Sequence, residues 1–201
     1  MQTLLIATGN PGKFEEISEE LDEIGVEAVS LEEREIELER PESGKSYYEN
    51  ARIKADEGYE KSGLPTLADD SGIEVDALDG DPGIHSDRWA GDVSAEERNQ
   101  ELLSRLNGVS ESERTARFLC DMVLVDQNQE QFHTRGVCEG TIARKPRGEG
   151  GFGYDPIFEI NAEDGRTFAE VAPRVKRWVS HRGKALNKMI SLISSSDTGS
   201  T

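Results

Sequence analysis

The sequence of 201 residues predicts one α/β domain built on a mixed β-sheet. Three observations favour this fold class. Strand-like apolar runs alternate with amphipathic helical segments from the N terminus onward. Two long strand candidates, Thr115–Val125 and 131–143, are separated by a polar turn, which is typical of an antiparallel hairpin beside a parallel unit. No repeat and no shift in composition marks a linker between separate domains.

The N-terminal part of the chain is predicted to form a strand, a helix and a second strand. Residues 2–8 are apolar and β-branched, and a dense turn signal follows at residues 9–12. The helix after this turn has apolar residues on one face, namely Phe14, Ile17, Leu21 and Ile24. Gly25 ends that helix, residues 26–31 form the second strand, and the acidic residues 32–40 fit either a strand or a loop.

The middle of the chain continues the alternation. A helix is predicted over residues 46–62 and a strand over residues 64–68. Residues 80–91 are rich in glycine, proline and aspartate, which predicts an ordered loop. Ser94 is predicted to cap the next helix because Glu97 follows three residues later. The apolar residues of that helix are Leu102, Leu103 and Leu106.

The C-terminal part begins after the predicted hairpin. Residues 148–153 contain too much glycine for a helix or a strand. The last helix has an apolar face made by Leu186, Met189, Ile190 and Ile193. We expect residues 1–194 to form the single domain and residues 195–201 to form a frayed polar tail.

The net charge excludes several classes of protein. With 41 acidic and 23 basic residues the formal charge is −18, so the chain lacks the general positive footprint of a nucleic-acid-binding protein. No apolar run approaches the ~18–20 residues that cross a bilayer. Met1 is not followed by the basic and long apolar regions of a secretory signal. We therefore expect a cytoplasmic protein with no nucleic-acid and no membrane partner.

The two cysteines, Cys120 and Cys138, lie in separate strand-like runs without the spacing of a metal site. A disulfide framework is not expected from two such residues. We expect two reduced, half-buried thiols.

Four short segments contain residue types suited to binding or catalysis. The first is the turn Thr8, Gly9, Asn10, Pro11, Gly12 and Lys13. A turn that opens a helix presents backbone N–H groups and the positive end of the helix dipole, which suits phosphate, and Lys13 adds a positive charge. The pattern matches neither a Walker loop nor a dinucleotide fingerprint, so an ordinary tight turn is the alternative.

The second segment is Asp69, Asp70 and Ser71, directly after a predicted strand. Carboxylates at the C-terminal end of a strand lie where open α/β sheets bind ligands. Their hard oxygen atoms suit Mg²⁺ or Mn²⁺ bound together with phosphates, and one carboxylate there could accept a proton from water. The alternative is a solvated acidic loop, since the chain has 41 acidic residues.

The third and fourth segments lie nearer the C terminus. Phe152 stands between glycines in a loop, where its ring offers a stacking surface for a base, and a hydrophobic plug is the alternative. His181 and Arg182 open the final helix, and the arginine fork suits a carbonyl or phosphate acceptor. The alternative is an ordinary pair of surface residues.

The order of these segments resembles the inosine/xanthosine triphosphate pyrophosphatase family. The matching motifs are TGNPGK (8–13), PESGKSYYENARIKA (41–55), LADDSG (67–72), GDPGIHSDRWAG (80–91), GGFGYDP (150–156) and SHRGKAL (180–186). The resemblance implies an elongated mixed sheet flanked by helices, two lobes with an active-site cleft between them, and a homodimer. It also implies hydrolysis of the non-canonical nucleotides ITP, dITP and XTP to the monophosphate and pyrophosphate, with Mg²⁺ or Mn²⁺ as cofactor.

The resemblance also implies roles for individual residues. The expected triphosphate contacts are Thr8, Asn10, Lys13 and Lys54, within a turn that includes Gly9, Pro11 and Gly12. The expected metal ligands are Glu42 and Asp70, supported by Asp69, and Asp70 is also the expected general base. The expected substrate and base contacts are Ser71, Phe152, Gly153, Tyr154, Asp155, Lys176, His181 and Arg182.

The chemistry of that reaction agrees with these residue types. Attack of water on the bond between the α and β phosphates needs neutralised phosphate charge, which Lys13, Lys54 and a divalent metal can supply. An arginine only donates, so Arg182 suits a 6-oxo purine and would be left unpaired opposite adenine, at a cost of about 1–3 kcal/mol. This argument excludes ATP but not GTP.

The departures from the family pattern do not affect the acidic residues and lysines named above. They are Pro11, His85 and Trp89, and Arg88 is a further candidate to reach the site. Two alternatives stay open. One is a Maf-like pyrophosphatase for other modified nucleotides, which the FGYDP and SHR motifs disfavour. The other is a nucleotide-binding sensor without turnover, which would not need Asp70.

The kinds of charged residue lead to a prediction about salt. The 23 basic residues comprise 8 lysines and 15 arginines. Excess carboxylate with little lysine is typical of a protein from a halophile, because salt screens the mutual repulsion, and an acidic mesophilic protein is the alternative. We expect the free energy of unfolding in urea to rise between dilute buffer and molar KCl. An equal or lower value in molar KCl would contradict a halophilic origin.

Overall fold

Six strands form one mixed sheet in this computed structural model, which describes residues 3–196. The strands are β1 (Thr3–Ile6), β2 (Glu27–Ser30), β3 (Thr66–Val75), β4 (Thr115–Val125), β5 (Gln131–Ile142) and β6 (Phe158–Ile160). Their order across the sheet is β2-β1-β3-β4-β5-β6. Strand β1 pairs in parallel with β2 and β3, whereas β5 and β6 are antiparallel. The predicted α/β class with a mixed sheet is therefore confirmed.

Five α-helices lie within the same residues 3–196. They are α1 (Pro11–Glu23), α2 (Tyr47–Ser62), α3 (Ala95–Arg105), α4 (Pro173–Val179) and α5 (His181–Ser196). The predicted capping box of α3 is confirmed, because the Ser94 hydroxyl accepts from the Glu97 N–H and the Glu97 carboxylate accepts from the Ser94 N–H. Gly63 ends α2 in the left-handed region, with φ of 68°, as glycine commonly does.

Strands β4 and β5 are neighbours joined by residues 126–130. A connection this short links antiparallel strands, because parallel strands need a crossover of about a dozen residues or more. The N–H of Asp126 donates to the carbonyl of Glu130 at 3.0 Å and closes the turn. The predicted hairpin is therefore confirmed.

Strand β3 is longer than predicted. The sequence predicts a strand over 64–68 that ends before the aspartates, but β3 runs from Thr66 to Val75, so Asp69, Asp70 and Ser71 lie inside it. Successive side chains of a strand point to opposite faces of the sheet. The two aspartates are therefore placed on different faces of the sheet rather than together in a loop.

The described residues divide into two compact units. Unit 1 consists of residues 3–70, 120–136 and 182–196, and unit 2 of residues 71–119 and 137–181. Each of β3, β4 and β5 contributes residues to both units. The chain passes from one unit to the other between Asp70 and Ser71 and between His181 and Arg182.

Unit 1 has an apolar core on each side of its strands. One core joins α1 and α5 to the sheet, through Leu4, Ile6, Ile17, Leu21, Met122, Leu186 and Met189. The other lies under α2 and is built from Leu5, Ala51, Ala55, Ala68 and Val123. Small residues let α2 approach the sheet closely, since a Cβ on Gly58 would lie 2.8 Å from Thr66 Cγ2.

Unit 2 has a core rich in aromatic side chains. The Phe118 and Phe158 rings meet edge to face with centroids 4.8 Å apart, and Phe158 stacks on Phe168 at 5.2 Å. Such pairs add about 0.5–1.5 kcal/mol beyond the burial of their area. Leu102 and Leu106, at the C-terminal end of α3, complete this core and are fully buried.

Several other expectations are settled by the described residues. Cys120 and Cys138 are buried free thiols, not half-buried ones, because both side chains point into a core. Residues 32–40 are turn and loop. The short β6 and α4 were not predicted, because three and seven residues are too few to display a periodicity.

The predicted tail, 195–201, overlaps the end of α5 at residues 195 and 196, and residues 197–201 lie outside the described part. Among the helices described, none has both the length and the apolar character needed to cross a membrane.

Arg114 provides a test of how unit 2 is held together. Its guanidinium is buried and donates to the carbonyls of Leu106, Ile142 and Ala143 at 2.8–3.0 Å. Arg114→Met should lower the free energy of unfolding by about 3–5 kcal/mol, because three buried carbonyls lose their donor. Urea denaturation measures this loss, with Arg144→Met at an exposed arginine as control. Equal effects of the two substitutions would contradict this role.

Candidate active site

The turn before α1 is held by its own side chains. The Asn10 carboxamide oxygen accepts from the N–H groups of Gly12 and Lys13 at 3.0 and 3.2 Å, and the Thr8 hydroxyl accepts from the Asn10 N–H at 3.2 Å. Two N–H groups that the sequence assigned to phosphate therefore already have an acceptor, and Pro11 at the first helical position has no N–H. Gly9 is exposed, and a Cβ there would meet no atom within 4 Å.

Lys13 reaches from α1 to the fully buried carboxylate of Asp69. Its Nζ lies 3.3 Å from Asp69 Oδ2, and Arg182 Nε lies 3.3 Å from the same oxygen. Burial raises the pKa of Asp69, but Lys13 and Arg182 outweigh burial and hold this pKa well below its ordinary value. Asp69 is thus ionised and acts as the counter-ion of two cations. Its expected part in metal binding stays a prediction.

Asp70 lies on β3 next to Asp69 but has a different environment. Its Oδ2 accepts from the Asn50 carboxamide at 3.0 Å, and its Oδ1 lies 3.8 Å from Lys54 Nζ. Burial raises the pKa of Asp70 from 3.8 to about 6, and Lys54 and Lys13 offset only part of this shift. A carboxylate with a pKa near neutrality is suited to accept a proton.

Glu42 completes this group of charges in unit 1. Lys54 Nζ lies 2.8 Å from Glu42 Oε1, so one ammonium group joins the carboxylates of Glu42 and Asp70. Burial lowers the pKa of Lys54, but the nearby carboxylates, Asp70 first, outweigh burial and raise it.

The carboxylates present fit a hard divalent cation whose remaining ligands come from the substrate and water. Across residues 3–196 no group of three or more His, Cys, Asp or Glu side chains could hold a metal ion. Mg²⁺, however, is commonly held by one or two carboxylates together with substrate phosphates and water. Glu42 and Asp70 provide such a pair, both being neighbours of Lys54 Nζ.

In unit 2 the loop around Phe152 is organised by Asp155. The buried Asp155 Oδ2 accepts from the Phe152 N–H at 2.8 Å and from Lys176 Nζ at 2.6 Å. The same Nζ lies 4.7 Å from the centroid of the Phe152 ring, which is a cation–π contact. Phe152, Asp155 and Lys176 therefore form one cluster, in which an aromatic ring lies beside a cation.

Two glycines give this loop its shape. Gly151 has φ of +72°, and a Cβ on it would lie 2.0 Å from Asp155 Oδ2. Gly153 also has a positive φ, of +60°, and its carbonyl accepts from the Asn99 carboxamide at 3.0 Å. Glycine is therefore required at position 151 by close approach and favoured at position 153 by backbone conformation.

Tyr154 and His181 face the core of unit 2. The Tyr154 hydroxyl donates to the carbonyl of Ser86 at 2.9 Å, and burial raises the pKa of this tyrosine. The His181 ring is stacked on Phe118 with centroids 4.5 Å apart and an angle of 8° between the planes. Both residues thus support the loop and helix around them from inside the core.

Arg182 binds two carboxylates of unit 1. Its buried guanidinium has Nε 3.3 Å from Asp69 Oδ2 and Nη1 2.5 Å from Glu16 Oε2, and its contact with the edge of the base stays a prediction. A buried guanidinium requires carboxylate or carbonyl partners, and two carboxylates supply them here. Burial lowers the pKa of Arg182, but these carboxylates outweigh burial and raise it.

The remaining expected residues lie as follows. Ser71 follows Asp70 in β3 and is partly buried. Arg88 Nη2 lies 3.2 Å from His85 Nδ1, and the Trp89 ring is covered by the guanidinium of Arg105 at 4.8 Å.

Three residues that contact the site were not found from the sequence. Asn50 joins Asp70 to the loop before α2, since its carboxamide oxygen accepts from the Gly44 N–H at 2.9 Å. Glu16 binds Arg182, and Asn99 binds Gly153. Asn50 lies within the matched motif 41–55, which is the one signal that pointed to it.

Comparison with known proteins agrees with this arrangement. The sequence profile of the Ham1 family matches residues 4–192 of the chain. The chain is 43% identical over 197 residues to a dITP/XTP pyrophosphatase of Vibrio parahaemolyticus, covering 96% of this chain and 98% of that protein. It is 46% identical over 187 residues to a dITP/XTP pyrophosphatase of an Exiguobacterium species, covering 92% and 94% of the two chains.

Solved structures of similar proteins have the same fold. A HAM1 protein from Coxiella burnetii superposes with a TM-score of 0.85 at 38% identity, covering 97% of this chain and 100% of that one. A nucleoside-triphosphatase / dITP/XTP pyrophosphatase from Mycobacterium abscessus superposes with a TM-score of 0.73 at 43% identity, covering 94% and 98%. The chain belongs to the Ham1 family.

Proposed function

We propose that this protein hydrolyses non-canonical purine nucleoside triphosphates, namely ITP, dITP and XTP, to the monophosphate and pyrophosphate. The observation that carries the proposal is the pair of adjacent carboxylates in β3, whose pKa values are shifted in opposite directions. Asp69 stays ionised and holds cations, whereas Asp70 has a pKa of about 6 and suits proton transfer. The names of the similar proteins support the same activity.

Unit 1 supplies the groups for the triphosphate. Lys13 and Lys54 are two buried ammonium groups that can neutralise phosphate charge, including the charge that develops on the leaving pyrophosphate. Asp70 accepts the proton of the attacking water, and Asn50 holds the carboxylate in place for this step. We propose Glu42 and Asp70 as the residues that would hold Mg²⁺ or Mn²⁺, which supplies charge neutralisation on the phosphates when bound.

Unit 2 supplies the groups for the base. The Phe152 ring provides a stacking surface, and Lys176, fixed by Asp155, provides donors beside it. A lysine ammonium only donates, so it suits the 6-oxo group of hypoxanthine or xanthine and not the 6-amino group of adenine. Arg182 also only donates, and its proposed contact with the edge of the base has the same preference. GTP shares the 6-oxo group, so Lys176 does not discriminate against it.

Other features from the sequence remain part of the proposal. They are a homodimer, a cytoplasmic location and a halophilic origin. A sensor without turnover and a Maf-like specificity are the competing functions, and the substrate panel described next distinguishes both from the proposed one.

The test is release of pyrophosphate from ITP, dITP, XTP, GTP and ATP, with and without Mg²⁺, at low and molar salt. We expect release from ITP to exceed release from ATP by about five- to 150-fold, since a mismatched buried donor costs about 1–3 kcal/mol. Asp70→Asn should reduce turnover by about 10²-fold or more while the protein stays folded, because the proton acceptor is lost.

Glu74→Gln, at a partly exposed carboxylate on the same strand, is the matched control and should retain full activity. Full activity of Asp70→Asn would remove Asp70 from its assigned role. Tight binding of ITP without pyrophosphate release would favour the sensor.

The raised pKa of Asp70 also predicts how stability depends on pH. Below pH 3.8 the carboxyl is protonated in both folded and unfolded chains, whereas above pH 6 the folded state must bury it ionised. Its contribution to stability is therefore lost as the pH rises from about 4 to about 6, by roughly 2–3 kcal/mol. In metal-free buffer, Asp70→Asn should be more stable than the parent protein at pH 7.5, and this difference should vanish near pH 3.5. Urea denaturation of both proteins measures the difference, and a less stable variant at pH 7.5 would contradict the prediction.

A further inference from the structure

Four side chains of alternating charge in unit 1 form a series of contacts, the charge circuit, that begins and ends on α1. Lys13 contacts Asp69 at 3.3 Å, Asp69 contacts Arg182 at 3.3 Å, and Arg182 contacts Glu16 at 2.5 Å. Lys13 and Glu16 lie three residues apart in α1, so their side chains are neighbours on one face of the helix. The circuit thus connects α1 to β3 and α5 and returns to α1.

The charged side chains of the circuit are largely buried, which strengthens the interactions between them. Asp69 is fully buried, Lys13 and Arg182 have 4% and 3% of their surface exposed, and the Glu16 side chain is 23% exposed. Interactions between charges are screened weakly in such an environment. Lys13 and Arg182 share the Asp69 carboxylate, so a change in the interaction of Asp69 with one of them changes its interaction with the other.

We propose that Glu16 is a positioning residue that sets, through Arg182, how strongly Asp69 retains Lys13 and therefore how readily Lys13 binds phosphate. Glu16 draws part of the Arg182 charge away from Asp69, which leaves Asp69 a stronger partner for Lys13. Without the Glu16 charge, Arg182 loses one of its carboxylate partners and competes more effectively with Lys13 for Asp69. The Lys13 ammonium then has more charge available for an incoming phosphate. The inference rests on the proposed function, in which Lys13 binds the triphosphate.

The circuit predicts effects of opposite sign for its two variable members. Glu16→Gln removes one negative charge from the surroundings of Lys13, whereas Arg182→Gln removes one positive charge. Glu16→Gln should therefore strengthen phosphate binding, and Arg182→Gln should weaken it. The double variant removes one charge of each sign, leaves the net charge unchanged, and should bind as the parent protein does. Loss of fold or of packing would instead weaken binding in every variant.

The experiment measures the Kd for inorganic pyrophosphate by calorimetry in the presence of a chelator, so that neither turnover nor metal enters the readout. We expect Glu16→Gln to bind pyrophosphate about two- to fivefold more tightly, because the Glu16 charge is partly exposed and therefore partly screened. Arg182→Gln should bind more weakly by a similar factor. The KM for ITP should move in the same direction as the Kd.

Glu15→Gln is the matched control. Glu15 is the adjacent residue of α1 and is exposed. The substitution Glu15→Gln removes the same charge as Glu16→Gln at a position that does not bind Arg182. Its Kd should stay within twofold of the parent value. If Glu16→Gln binds pyrophosphate no more tightly than Glu15→Gln, the proposal is wrong, even if Arg182→Gln cannot be purified. Absence of ITP hydrolysis by the parent protein would instead refute the proposed function, and the pyrophosphate Kd would still decide the role of Glu16.

Discussion

The buried carboxylate of Asp69 is the constraint on which the arrangement of unit 1 depends. A charge with no exposed surface in the middle of a strand is tolerated only if cations accompany it, since an unpaired buried ion is very costly. Lys13 from α1 and Arg182 from α5 meet this requirement. Two helices far apart in sequence are thereby fixed to the same point of β3, and the fixed lysine is one of the two proposed to hold phosphate.

The alternation of side chains along a strand explains how neighbouring aspartates acquire different chemistry. Asp69 points toward α1 and α5, where cations lower its pKa, whereas Asp70 points toward α2, where Asn50 and Lys54 lie and burial raises its pKa. A loop would expose both carboxylates to water and leave both pKa values near that of free aspartate. The continuation of β3 through this segment is therefore what separates a counter-ion from a proton acceptor.

Net charge describes the surface and not the site. The chain carries a formal charge of −18, yet Lys13, Lys54 and Lys176 are each held by a buried or partly buried carboxylate. Each carboxylate fixes its lysine in one geometry and is itself stabilised by it. In unit 2 the same principle appears in Asp155, which positions Lys176 above the Phe152 ring. A protein with few lysines thus holds three of them in fixed positions, each beside a carboxylate.

Local patterns determined much of this protein. Apolar spacing, the turn residues of 9–12 and 126–129, and the Ser94 capping box act over a few residues, so the sequence alone predicted α1, α3, the hairpin and the α/β class. Motif order alone indicated the family. Only the tertiary structure decided that the aspartates lie inside β3, that Arg182 binds Asp69 and Glu16, and that Asn50 holds Asp70. These are contacts between residues 20 to 166 positions apart, and burial, which fixes both the partners and the pKa of a charged group, does not exist until the chain has folded.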